Sequence, residues 1–295
     1  MDILRDILLQ VRRERRATGH FNASEADHMR AIVEACHEAG TAAIIGMSEG
    51  EREHLGVMEA VALRDAFRKE FNIPVFLNAD HTRSVEKAKQ AIDAGFDAIH
   101  IDLSALPFEE NIAGTKEVVE CARLQTTNYK LQPISIEGEL GYLRGESKVQ
   151  QEKIEVKKED YTNPDQAAEF VRRTGVDRLA IAVGNIHGIS LDEPDLDIER
   201  IRAIRAAVPE SVALVLHAAS GIPHDQIKAA IAAGIANIHV NTDLRVAYVH
   251  ALKEALASHP DEAAMYKLDA PAFAAMKDVV VRKLRLFSTP ATIES

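Results

Sequence analysis

Short apolar runs alternate with longer amphipathic stretches eight times along the 295-residue chain. The pattern predicts an α/β protein, a (β/α)8 TIM barrel with extra C-terminal helices, spanning 1–295 as one domain. Two further observations point the same way. Several of the short runs are nearly continuous in Val, Ile, Leu and Ala, as parallel strands buried on both faces require. Three helix-to-strand junctions, AIDAGFDAIHI, FVRRTGVDRLAIAV and AIAAGIANIHV, rhyme, each with a glycine (Gly95, Gly175, Gly234) where a helix ends in the left-handed conformation.

The elements follow in order. Gly19–Asn22 leads into the helical pattern Glu25–Ala39, Ala42–Met47 into His54–Lys69, and Val75–Asn78 into Val85–Ala94. Ala98–Ile101 precedes Glu109–Cys121, and Ile134–Glu137 precedes Pro164–Arg173. Arg178–Val183, Ala213–Leu216 and Ile235–Val240 precede Asp197–Ala206, Pro223–Ala232 and Leu244–Ala257. Between the fifth strand and its helix, Leu140–Thr162 is polar, rich in Lys and Glu, and too long for a tight connection, so a mobile active-site loop is expected there. Past Ala257 further helical material ends in VVVRKLRLF, placed to pack on the barrel or on a partner subunit. An open doubly wound sheet is the alternative, but no dinucleotide-binding glycine fingerprint is present, since GNIHG has the wrong spacing.

Composition excludes several classes of function. Apolar residues make up 46% and charged residues 27%, an ordinary globular balance. The formal charge of −11 speaks against nucleic acid as a partner, and the basic run Arg12–Arg16 lacks interleaved aromatics. No stretch has the roughly 20 apolar residues of a membrane span, and no membrane partner is expected. Cys36 and Cys121 have no C-x-x-C partner, and MDILRDILLQVRRERR is not a secretory signal, so a cytoplasmic protein is expected.

Barrel enzymes build their sites at the C-terminal ends of the strands. After the third strand come Asp80 and His81, after the fifth Glu139, after the sixth His187, and after the seventh His217. Three imidazoles with an open fourth position suit zinc or a related divalent metal. A lone histidine is ordinarily a satisfied polar residue, and His28, His37, His54, His224, His250 and His259 lie on helices or near their ends. Three at three strand ends reverse that weighting. His20, His100 and His239 fall inside strands, so their direction is ambiguous. Adjacent strand residues face opposite sides, so Asp80 and His81 share the mouth only if the strand ends there. Asp80 would then carry a proton, or orient a ligand histidine. His217–Gly221 and Asn241–Asp243 supply small residues and helix starts suited to phosphate, or simply caps for their helices.

These segments resemble the class II, metal-dependent fructose-bisphosphate and tagatose-bisphosphate aldolases. FNASE, the Asp80–His81 pair, LPFEEN, EGELG, GNIHG, LVLHAASGIP, NTDLR and KLRLF carry the likeness from Phe21 to Phe287. The resemblance implies that His81, His187 and His217 ligate a catalytic Zn2+ that polarises a ketose carbonyl and stabilises an enediolate. It implies that Asp80 handles the proton of the aldehyde-derived hydroxyl, with Asp102 and Glu139 near the metal or an alternative metal position. Glu146 matches a catalytic loop glutamate across a one-residue gap. Ser220, Asn241, Thr242 and Arg245, with Gly188 and Ala218, match phosphate or substrate positions, and Asn22 and Ser48 line the mouth.

The implied reaction splits a phosphorylated ketose into dihydroxyacetone phosphate and an aldehyde, as in glycolysis and related carbohydrate metabolism. The expected enzyme is a homo-oligomer, a dimer or a tetramer. The chain departs from the family pattern at four places. His-Gly-Gly-Ser-Gly is His217-Ala218-Ala219-Ser220-Gly221, which alters the phosphate and monovalent-cation site. A lysine is replaced by Leu191, an asparagine by His239, and Asp-Gly-Ser-His by Asp102-Leu103-Ser104-Ala105. These changes leave open a metal-dependent aldolase or lyase on a non-phosphorylated or differently charged substrate, or a catalytically silent binding barrel.

Overall fold

The computed structural model describes residues 4–129, 132–150, 154, 156–189 and 195–290, apart from the side chains at 128, 129, 146 and 147. Eight parallel strands close into a barrel. They are β1 (Thr18–Asn22), β2 (Ala43–Met47), β3 (Val75–Thr82), β4 (Ala98–Ile101), β5 (Ser135–Leu140), β7 (Arg178–Ile181), β9 (Ala213–Leu216) and β10 (Ile235–Val240). Neighbours in the chain are neighbours in the sheet, and β1 pairs with both β2 and β10 to seal it. All eight strands lie at the predicted runs, because a barrel strand is covered on both faces and favours apolar residues.

The helices α2 (Ala26–Glu38), α4 (Val57–Phe71), α5 (Val85–Ala94), α6 (Phe108–Tyr129), α7 (Pro164–Thr174), α8 (Ile198–Ala207), α9 (His224–Ala233) and α10 (Thr242–Ser258) surround the barrel. Gly95, Gly175 and Gly234 close α5, α7 and α9 in the left-handed region, as the rhyming junctions predict. One helix differs from expectation. The stretch predicted to start at His54 is two helices, α3 (Glu49–Leu55) and α4, broken at Gly56 with φ 93°. The break turns α3 toward the barrel mouth and brings Glu51 and Arg52 there.

The N-terminal segment forms α1 (Leu4–Arg13), whose Leu4 and Leu8 pack on Ile44, Phe76, Ala98 and Ala213 and cap the N-terminal end of the barrel. The functional end is therefore the opposite one. The last helix, α11 (Met265–Ser288), packs against α10 and α2 and buries Val280 and Phe287. Within the segment expected to be a mobile loop, Gly145–Val149 forms a strand, β6, paired in parallel with β8 (His187–Ile189). Arg144 and Asp160 join across it at 2.6 Å. No helix among the described residues is long and apolar enough to cross a membrane.

The barrel interior holds side chains as large as His20, whose ring lies over Gly46 of β2. A Cβ at residue 46 would stand 2.0 Å from His20 Cε1. Gly46→Ala is expected to lower stability by about 1–3 kcal/mol through overpacking, read from urea unfolding midpoints. Unchanged stability would mean that the His20 ring has room to move.

Candidate active site

Asp80 and His81 reach the mouth together, although not because the strand stops at Asn78. β3 runs on to Thr82, and its register against β4 shifts between Ala79 and Thr82. His81 there has φ 41°, the left-handed region that a branched or ringed side chain rarely adopts. This bulge interrupts the alternation of the strand. Two consecutive side chains consequently face one cavity.

Each imidazole in that cavity is held by a carboxylate or an element end. His81 Nδ1–H donates to Asp102 Oδ2 at 2.9 Å, which turns Nε2 toward the cavity. His217, at the end of β9, donates from Nε2 to Glu137 Oε1 at 2.6 Å, leaving Nδ1 as a lone pair. His81 Nε2 and His217 Nδ1 face each other at 3.2 Å. His187 opens β8, its backbone N–H bonded to Arg144 O at 2.8 Å, and its ring lies 5.0 Å from that of His81. Nitrogens in this position meet through a shared proton or through a metal ion, and imidazoles backed by carboxylates are good ligands for a divalent metal.

The electrostatics fit that use. Burial pushes the pKa of His187 down to about 3, with the His81 charge adding to the effect. Burial and the nearby His100 charge bring His217 down to about 3 as well. Burial also opposes a charge on His81, but Asp80 and Asp102 outweigh it and raise its pKa. A metal ion would take the place of that proton. Asp102 therefore stands behind His81, while Glu139 is 3.0 Å from His100 Nε2 and 4.0 Å from His81 Nδ1. His81, Asp102 and Glu139 form a second group of ligand-capable atoms beside the first.

Below the mouth, the three histidines of ambiguous direction all point into the barrel. His100 lies between Asp80 Oδ1 at 3.4 Å and Glu139. Burial opposes its charge, yet Glu137, Asp80 and Glu139 raise its pKa well above the usual range. The His20 ring stacks on His239 at 3.5 Å. At the centre, Arg178 NH1 meets Glu137 Oε2 at 2.6 Å, both side chains without exposure. The sequence reading passed over Glu137, Arg178, Glu51 and Arg52. A signal for the first two was present, since a charge inside a barrel strand requires a partner of opposite sign.

A family model described as fructose-bisphosphate aldolase class-II matches residues 2–291. The chain belongs to the class II fructose-bisphosphate aldolase family. It is 35% identical to the fructose-bisphosphate aldolase of Geobacillus stearothermophilus over 289 residues, covering 97% of this chain and 96% of that one. It is 36% identical to a probable fructose-bisphosphate aldolase of Bacillus subtilis (strain 168), with 92% of each chain covered. The X-ray structure of the YdjI aldolase from Escherichia coli K12 superposes with a TM-score of 0.79 at 32% identity and 98% coverage of both chains. Membership makes the protein an aldolase, a carbon–carbon lyase.

The remaining residues predicted for this aldolase are dispersed around the cavity. Asn22 donates to Asp80 Oδ2 at 3.0 Å and to Glu51 Oε2 at 3.1 Å. Gly188, Ala218, Ser220, Asn241 and Thr242 line the cavity with His239, whereas Ser48 caps α3 outside it. Ser220 Oγ accepts from Asp243 N at 3.1 Å, and Asn241 Oδ1 is buried without a partner among the described residues. Ala218 has φ 57°, a conformation natural to the glycine it replaces and costly for alanine. Arg245 pairs with the buried Glu51. Glu146 is in β6, but its side chain lies outside the described residues, as does Leu191 altogether.

Arg178→Met would leave the Glu137 carboxylate buried without its countercharge. A loss of about 3–5 kcal/mol is expected, measured by chemical denaturation. A change below 1 kcal/mol would show that the pair does not hold the interior together.

Proposed function

We propose that this chain is a metal-dependent aldolase that reversibly splits a phosphorylated ketose into dihydroxyacetone phosphate and an aldehyde. The observation that carries this reading is the facing pair of ring nitrogens, His81 Nε2 and His217 Nδ1, 3.2 Å apart, with Asp80 at their side. His81, His187 and His217 would hold the metal, Zn2+ by family resemblance. A divalent ion bound there supplies a Lewis acid for the ketose carbonyl.

The chain's own residues account for the proton. Burial disfavours the Asp80 carboxylate, but His81, His100 and His239 hold its pKa well below the usual range, so it is ionised and able to accept. Asn22 fixes its Oδ2. In cleavage, Asp80 takes the proton of the hydroxyl on the carbon being released. The aldehyde C=O forms, the carbon–carbon bond breaks, and its electron pair passes to the carbon beside the ketose carbonyl. That carbon is then protonated, and Glu146, which by family likeness matches a catalytic loop glutamate, is the candidate donor. Ser220, Asn241 and Thr242, at the start of α10, suit a phosphate on the substrate. The short β6–β8 ladder, with Arg144–Asp160, carries the segment that adjoins the mouth.

A second reading, an aldolase for a differently charged substrate, draws support from three positions. Ala218 carries a methyl group in the left-handed region, His239 lines the mouth, and Arg245 is already paired with Glu51. A panel of ketose mono- and bisphosphates, free sugars and keto acids separates the two by kcat/KM. The proposal extends to a cytoplasmic homo-oligomer, dimer or tetramer. Supporting it are two free cysteines and a row of exposed apolar residues on α10, Val246, Val249 and Leu256. Light scattering tests the assembly.

Dialysis against a chelator is expected to remove cleavage activity, and added Zn2+ to restore it. His217→Ala should lose metal binding and cleavage together, and full turnover by metal-free protein would sink the proposal. Asp80→Asn is expected to lower kcat about 10²–10⁴-fold while metal content stays stoichiometric. Borohydride with substrate should trap no covalent adduct, since the reading assigns no lysine to the reaction.

A further inference from the structure

The bulge that presents both Asp80 and His81 is held on its backbone by His100, whose Nδ1 meets His81 N, and by one buried guanidinium. Arg52, on α3, is 5% exposed. Its NH1 donates to Met47 O at 2.5 Å and to Asp80 O at 3.2 Å, and its NH2 donates to Thr82 Oγ1 at 3.1 Å. Thr82 Oγ1 in turn donates to Ala79 O at 3.1 Å. One guanidinium thus ties the end of β2 to residues on both sides of His81, where the chain enters its left-handed turn. Met47 O stands at the end of β2 and Asp80 O within the irregular stretch of β3, where ladder partners run out and a buried acceptor needs another donor.

We propose that Arg52 is a positioning residue for the aldol centre, holding the Asp80–His81 bulge so that both side chains face the same cavity. The inference rests on the reading of His81 as a metal ligand and Asp80 as the proton acceptor. Without the clamp, β3 regains its ordinary alternation, which sends neighbouring side chains to opposite faces. Either His81 Nε2 then leaves the line to His217, or Asp80 leaves the mouth. The planar fork of arginine matters here. It reaches acceptors on two strands from one rigid plane, which an ammonium on a flexible stem does not reproduce. Arg64 is a useful contrast. It is also buried and bonds Gly95 O and Asp97, but it touches nothing at the mouth.

The test uses the full-length protein with Co2+ as a spectroscopic stand-in for zinc, and the ketose phosphate that the wild type cleaves fastest. Arg52→Ala, Arg52→Lys and the control Arg64→Met are compared. In both Arg52 variants the Co2+ dissociation constant should weaken about 10–100-fold, with a changed visible spectrum. kcat should fall about 100-fold, with KM little altered. Millimolar guanidinium should recover kcat and the cobalt spectrum in Arg52→Ala, and methylammonium should not. Arg64→Met should lower the melting temperature while leaving the cobalt site and kcat intact.

A folded Arg52→Ala with an unchanged cobalt spectrum and affinity would overturn the inference. If Arg52→Ala fails to fold, Arg52→Lys decides, and a native cobalt spectrum there overturns it equally. Losses in Arg64→Met that match those of Arg52→Lys would also overturn it, because they would reduce the effect to general destabilisation. A wild type that binds no Co2+ and cleaves no ketose fails differently. That outcome removes the aldolase reading itself, and the role of Arg52 with it.

Discussion

Glu137 and Arg178 face each other at 2.6 Å inside a closed barrel, both side chains without exposure to solvent. A buried ion pair is worth keeping only when every remaining donor and acceptor is used. Arg178 also bonds Ser135 and the Asn78 side chain, and Asn78 reaches His20. Glu137 uses its other oxygen on His217. The orientation of one imidazole at the mouth is thereby set by a charge pair near the middle of the barrel. The layers of branched apolar residues that ordinarily fill such barrels give way here to a polar network.

That network gives the mouth its electrical character. Glu137 fixes the proton of His217 on Nε2, and Asp102 holds a proton on His81 Nδ1, so His217 Nδ1 and His81 Nε2 converge. Carboxylates behind the rings make the imidazoles better donors to a cation and limit their rotation. His100, charged and wedged between Asp80 and Glu139, offsets the negative charge that these carboxylates concentrate. Asp80 stays ionised because it is surrounded by imidazoles, despite being almost fully buried.

On the outer side of the cavity the constraints relax. Ala218 occupies a backbone conformation suited to glycine, and Glu51 engages an arginine that the family pattern places near substrate. His81 and His217 keep their own carboxylate supports, Asp102 and Glu137, whereas Asn22 bonds both Glu51 and Asp80 and so couples the outer side of the cavity to the centre.

The eight strands, their order and the three mouth histidines were legible in the sequence, because burial on both faces and strand-end placement are local properties. Gly95, Gly175 and Gly234 marked helix ends for an equally local reason, the missing Cβ. The inward turn of His20, His100 and His239 was not legible, since direction along a strand depends on registers shared with two neighbours. The same holds for the bulge at His81, which lets Asp80 join it without the strand ending. Arg52 and Glu51 were invisible because the Gly56 break aims α3 at the mouth, and only three-dimensional proximity pairs them with Asp80, Asn22 and Arg245. The sequence by itself determined a parallel barrel with a triad of imidazoles at one end. Only the tertiary structure decided which nitrogen His81 and His217 turn to the cavity, because that depends on the carboxylate that another strand brings behind each ring.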